Sequence, residues 1–163
     1  MFTESSIRFG GGVTMTSELR VKKQPVPATL FMTDGTTLSG TIFLSPVGPS
    51  HAGRETVQEM MEGSEQFIPF RSESERFLLL GKAGVVAIRM VTGEQKPELP
   101  GRVSAEVKLV GGLQFNGRMI TDHDSDRLSD VLNHSDNWLR LETLNGIVWI
   151  RREAISIASQ TVI

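Results

Sequence analysis

The sequence predicts a mainly β chain built as two tandem five-stranded small barrels, each with one short helix between its second and third strands. Three observations carry that expectation. Short runs of alternating apolar and polar residues recur between turn signals, and apolar residues at helical spacing persist for only one or two turns. The chain holds 16 glycines and seven prolines, which suit many short strands joined by turns. The order of apolar positions over residues 28–88 returns, at nearly constant spacing, over residues 105–158.

Residues 1–27 show no sustained periodicity and are expected to form a flexible tail, with Arg20-Val-Lys-Lys23 as a small solvated basic cluster. The first barrel is expected over residues 28–92. It opens with a β-hairpin over Ala28–Leu44, in which Leu30 and Met32 alternate with threonines and Leu38, Ile42 and Leu44 face the same way on the return. Asp34-Gly35 between the runs readily supplies the positive φ of a tight turn. Gly40 lies inside the second run, where a glycine marks a bulge, a sharp bend or close backbone approach. A Pro- and Gly-rich loop follows, then a short helix over Glu55–Glu62 with Val57, Met60 and Met61 on one face, ended by Gly63. Gln66–Phe70 and Arg76–Leu80 read as strands across a polar turn, and Gly81–Gly84 connects tightly to a last strand, Val85–Met90.

Residues 93–101, GEQKPELPG, read as a proline-stiffened linker. The second barrel, over residues 102–163, repeats the series. Val107 and Leu109 stand for Leu30 and Met32, Gly111-Gly112 for Asp34-Gly35, and Gly117 for Gly40. Leu128, Val131 and Leu132 stand for Val57, Met60 and Met61; Trp138 for Phe67; Val148 and Ile150 for Leu78 and Leu80; Arg152 for Lys82; and Ile157 for Ala87.

Five strands with a 3₁₀-type turn before the fifth is the plan of Sm-like and SH3-like small barrels. Leu30–Gly35 with Gly40 resembles the first strand pair of the Sm-like family, and Ile147–Ile157 resembles its fourth strand, basic turn and fifth strand. The segment Arg127–Asn133 is also similar to a stretch in uncharacterised bacterial proteins, a likeness that carries no activity. The Sm-like resemblance implies architecture and, in RNA-binding members, a base pocket. That pocket is framed by an aspartate and asparagine after the second strand, where this chain has Ser45-Pro-Val-Gly48 and Thr121-Asp-His123. The family's helix also precedes its first strand, unlike the helices expected here.

Composition excludes several classes. No apolar run approaches the roughly 20 residues that span a bilayer, so no membrane association is expected. With no cysteine there is neither a disulfide framework nor a thiolate metal site, which fits the cytoplasm. The net charge is −2, and the basic excess is confined to the tail, so neither barrel has the charge to neutralise a phosphate backbone. Asp122-His-Asp-Ser-Asp126 resembles the start of a calcium loop, but Arg127 stands at the turn glycine and Asn133 at the closing glutamate; it reads as a helix N-cap. His51, His123 and His134 lack metal-ligand spacing, and neither a Gly-x-Ser-x-Gly elbow nor a phosphate loop occurs. No cofactor, metal or catalytic residue is expected.

The expected function is therefore a non-catalytic binding or assembly module acting through a protein partner or self-association. Trp149 lies between Val148 and Ile150, and its counterpart Leu79 is apolar too, so this strand is apolar on both faces and should be covered on both, by the other barrel or by a partner. Leu79, Trp149 and the neighbouring Arg151 and Arg152 are the candidate partner-binding residues. The rival expectations are RNA binding by an Sm-like barrel and a small-molecule or second-messenger sensor at the barrel junction.

Overall fold

The computed structural model describes residues 23–46, 53–90, 101–121, 127–134 and 136–161. The loop around His51, the acidic run Asp122–Asp126 and most of the tail and linker lie outside the described residues. The protein is mainly β. In chain order its elements are β1 (Gln24–Met32), β2 (Thr37–Leu44), α1 (Val57–Glu62), β3 (Phe67–Ser72), β4 (Phe77–Gly81), β5 (Val85–Met90), β6 (Gly101–Leu109), β7 (Gln114–Thr121), α2 (Leu128–His134), β8 (Trp138–Thr143), β9 (Gly146–Arg151) and β10 (Ile155–Gln160). Single 3₁₀ turns, Lys82–Gly84 and Arg152–Ala154, introduce β5 and β10.

The ten strands form one antiparallel sheet in the order β10-β6-β7-β8-β9-β5-β1-β2-β3-β4. This corrects the expectation of two closed five-stranded barrels: the sheet is open. The reason is where β5 spends its hydrogen bonds. One side of β5 pairs with β1. The other side, which would have to meet β4 to close the first half on itself, pairs instead with β9 of the second half. Neither half closes, and β4 and β10 become the two ends of the sheet.

Within that sheet the halves pair in matching registers. Ala28 faces Gly40 across the first hairpin, and Ala105 faces Gly117 across the second. The β1–β5 ladder slips by one residue at Phe31/Met32, and the β6–β10 ladder slips at the equivalent place, between Ile155 and Ile157. Both hairpin turns are closed alike: Met32 N–H donates to Thr36 at 2.9 Å and Leu109 N–H to Leu113 at 2.7 Å. Gly35, Gly111 and Gly112 supply the positive φ these turns require. Lys82 N–H reaches Gln66 at 2.9 Å, and Arg152 N–H reaches Asn137 at 2.8 Å.

β1 begins earlier than expected, at Gln24 within the anticipated tail, and carries Pro25 and Pro27. Proline has no N–H to give a ladder, yet both sit where β1 has only β2 beside it. The ladder with β5 begins at Thr29. β6 likewise starts at Gly101, the expected end of the linker. The helix α1 starts at Val57, two residues later than its apolar spacing suggested, because Thr56 is its N-cap. Glu59 N–H donates to Thr56 Oγ1 at 3.1 Å, and Thr56 N–H donates to Glu59 Oε1 at 2.9 Å. The buried face of α1 is Val57, Met60 and Met61, as its spacing predicts.

Gly40 and Gly117 resolve the choice among bulge, bend and close approach. A Cβ on Gly40 would stand 2.1 Å from the Arg71 carbonyl oxygen, and one on Gly117 would stand 2.2 Å from that of Glu142. The obstacle is backbone, so it cannot rotate aside. Replacing either glycine with alanine is expected to lower stability by about 1–3 kcal/mol in urea melts. Gly81→Ala is the control: its Cβ would meet only the Phe67 ring at 3.6 Å, and the change should stay within about 1 kcal/mol.

Candidate functional site

The halves meet along β5 and β9. Ala87 faces Ile150, Ile88 faces Trp149, Arg89 faces Val148 and Met90 faces Ile147. Side chains alternate across a strand, so β9 serves two cores at once. Val148 and Ile150 point into the core of the second half. Trp149 points the other way and packs, together with Trp138, into the core of the first half. The exchange is mutual, because Phe31, Val86 and Ala87 of the first half belong to the second core. Phe31 meets Phe115 edge-on with ring centroids 5.3 Å apart. Burying one large apolar side chain is worth about 1.5–3 kcal/mol. Trp138, Trp149, Phe31 and Val86 together thus supply an amount comparable to the whole stability of a small domain, about 5–15 kcal/mol.

Polar groups close the same seam. The Arg151 guanidinium donates through Nε to the Val85 carbonyl at 3.0 Å and through a terminal nitrogen to the Lys82 carbonyl. It lies over the Trp138 ring, 4.8 Å from the centroid. Burial pulls its pKa below the usual arginine value, and Glu153 opposes that shift. Arg140 lies over Trp149 at 5.8 Å, and Gln58 of α1 donates to Asp136 at 2.9 Å.

The four sequence-derived candidates therefore part company. Trp149 is 5% exposed and occupied by the first half, so it offers no face to a partner. Arg151 is committed to two carbonyls within the chain. Arg152 sits half-buried in its 3₁₀ turn. Only Leu79, 65% exposed, lies on an open face.

Two neighbours share the face of Leu79. Phe77 is two positions away on β4 and 65% exposed, and Phe67, 58% exposed, lies on β3 opposite Gly81. Sequence reasoning passed over both. The repeat sets Phe67 in the place of Trp138, yet Trp138 is buried and Phe67 is open. The strand pairing makes Phe67, Phe77 and Leu79 the equivalents of Trp138, Ile147 and Trp149. The first set is open because no further half lies beyond β4. The alternation Phe77-x-Leu79 beside an already apolar Leu78 and Leu80 was the available signal. At the opposite end of the sheet, Ile157 is 60% exposed where its equivalent Ala87 is buried.

A cavity of about 260 Å³ lies beside α1, lined by Lys23, Phe43, Glu55, Met60, Glu65 and Lys82 among others. Burial lowers the Lys82 pKa, with Glu65 and Glu55 opposing, and its Nζ donates to the Gly63 carbonyl at 3.2 Å. The cavity thus sets two lysines against two glutamates and has no marked preference for either sign of ligand. Among the described residues no group of three histidine, aspartate or glutamate side chains converges as a metal site, and no helix is long and apolar enough to cross a membrane. The side chain of His134 lies outside the described residues, as do His51 and His123.

Compared with models of protein families, with curated proteins and with solved structures, the chain matches none.

Arg151→Met keeps the length of the side chain and removes its charge. It strips two seam carbonyls of a charged donor, and a buried acceptor left unpaired costs about 1–3 kcal/mol. The variant should be about 2–4 kcal/mol less stable in urea melts, with Trp138 fluorescence changing in the folded state.

Proposed function

We propose that this protein is a non-catalytic assembly module, made of one duplicated β unit of Sm-like plan, that works through protein–protein contacts on the outer face of β3 and β4. The observation that carries the reading is a contrast between equivalent positions. Trp138, Ile147 and Trp149 are covered because another half lies against them. Phe67, Phe77 and Leu79 occupy the same places in the first half and are open. Edge strands that meet only water are ordinarily blunted by charge, proline or a bulge. β4 carries none of these over Phe77–Gly81, and in sequence it reads Phe-Leu-Leu-Leu-Gly. An apolar edge of this kind is the mark of an interaction surface.

The role asks only for complementary shape and backbone hydrogen bonds. Arg151 of the basic pair is taken up inside the seam, which weakens the case for RNA binding through that pair.

Solution mass tests the reading. Light scattering on the purified chain should give a species heavier than 17.9 kDa. Leu79→Glu should bring it to the mass of one chain without changing the far-UV circular dichroism, because Leu79 is already exposed. A wild-type chain that stays at one-chain mass up to several hundred micromolar overturns the proposal.

A further inference from the structure

We infer that the open face of β3 and β4 is a docking site for residues 5–9 of the same chain, Ser-Ser-Ile-Arg-Phe, which lie along β4 and compete there with the partner of the assembly reading above, on which this control rests.

The course of the chain points to this occupant. Side chains alternate across a strand, and Ile42, Ile68 and Leu80 are in the first core. Phe43, Pro69 and Leu79 therefore stand on the outer face, together with Phe67 and Phe77. Lys23, the residue before β1, shares a cavity wall with Phe43 and Pro69, and Pro69 faces Leu79 across the β3–β4 ladder. Residues 1–22 thus join the fold beside the open face, one strand from Leu79. Glu55 and Glu65 in the same wall oppose the charge of Arg20-Val-Lys-Lys23 at that root.

Length and pattern fit the place. From β1 to a position beyond β4 is four strand spacings, about 19 Å. Residues 10–22, between the segment and Lys23, span up to about 43 Å when extended. The reach leaves slack, and Gly10-Gly-Gly12 lets the chain turn. In Ser6-Ile-Arg-Phe9 polar and apolar residues alternate, the pattern of a strand with one covered face. Added at the β4 edge, such a strand takes backbone bonds from the outward side of β4 and sets Ile7 and Phe9 beside Phe77 and Leu79. The two halves differ in the same sense. The second half has its Trp138 and Trp149 covered by the first, and only residues 91–100 separate its β6 from β5. The first half has its equivalent face open, and residues 1–22 lie ahead of it.

A segment of the same chain needs no second molecule. Its effective concentration is set by the length that tethers it, not by how much protein is present. Closing the loop 10–22 and ordering five residues limit its strength. The result is a cover that a partner with more apolar surface displaces. A segment docked for about nine-tenths of the time leaves a tenth of the faces free, and weakens the partner's apparent affinity about tenfold. The control then acts as a threshold: the edge stays covered in dilute protein and opens to its partner as concentration rises.

The chain has no cysteine, so a nitroxide on Ser6→Cys reports on this segment alone. At a concentration where light scattering gives one chain, it should broaden the amide resonances of Phe67 and of Phe77–Gly81. Mixing the nitroxide chain, without isotope, into an isotope-labelled unmodified chain at the same concentration should broaden none. The full-length double variant Ile7→Asp/Phe9→Asp should lose the broadening and associate about threefold or more tightly than wild type in sedimentation velocity. If the nitroxide leaves β4 sharp, or broadens it only in the mixed sample, docking within the chain is overturned, while the mass measurement still decides the assembly reading. If the double variant loses the broadening and associates no more tightly than wild type, the competition is overturned. If β4 is broadened but neither wild type nor the double variant ever exceeds the mass of one chain, the assembly reading falls and the control falls with it.

Discussion

The structure depends on one allocation of hydrogen bonds: the outer edge of β5 goes to β9. A five-residue or six-residue strand at a sheet edge must find a neighbour or leave its amides to water. Had β4 supplied that neighbour, each half would be a self-contained barrel with a solvent-facing exterior. Because β9 supplies it, the second half delivers two tryptophans into the first core and receives Phe31, Val86 and Ala87 in its own. Units of roughly 60 residues bury too little surface to be comfortably stable alone. Sharing side chains across the seam answers that deficit, and it makes the two halves one cooperative body.

The same allocation makes the molecule polar from end to end. One terminus of the sheet is β4, with Phe67, Phe77 and Leu79 open beside it; the other is β10, with Ile157 open and serines on either side. The seam between the halves is reinforced by the Arg151 guanidinium, whose pKa burial lowers but whose charge is retained because arginine titrates far above neutrality. The ends have no such reinforcement.

Much of this was legible in the chain because it is local. Alternation gave the strands, Asp34-Gly35 and Gly111-Gly112 gave the hairpins, Val57, Met60 and Met61 gave a helix face, and Gly40 and Gly117 marked a bulge, a bend or a close approach without choosing among them. What was illegible is the competition between distant segments. Whether β4 or β9 takes the outer edge of β5 is decided by sheet geometry, which no run of residues states. The apolar character of Trp149 on both sides of its strand hinted at cover from the other half, and that cover is intramolecular. Pro25 and Pro27 concealed the start of β1, since a proline argues against a strand unless one edge of it is free. Phe67 has the same place in its unit as Trp138, but burial belongs to what packs over a position, and among the described residues no second half covers Phe67 as the first half covers Trp138.

The two helices are tied to the sheet in different ways at their starts. α1 carries its start within four residues, through the reciprocal bonds of Thr56 and Glu59. α2 has a local half, Arg127 N–H to Asp130 at 3.2 Å, but the next amide, Leu128 N–H, is taken by the Gln160 side chain at 3.3 Å from the far end of β10. The bond at Leu128 therefore forms only once a loop of some thirty residues has closed and β10 has docked on β6. The far end of β10 is thereby tied to the start of α2, 32 residues back in the sequence, so fraying at one loosens the other.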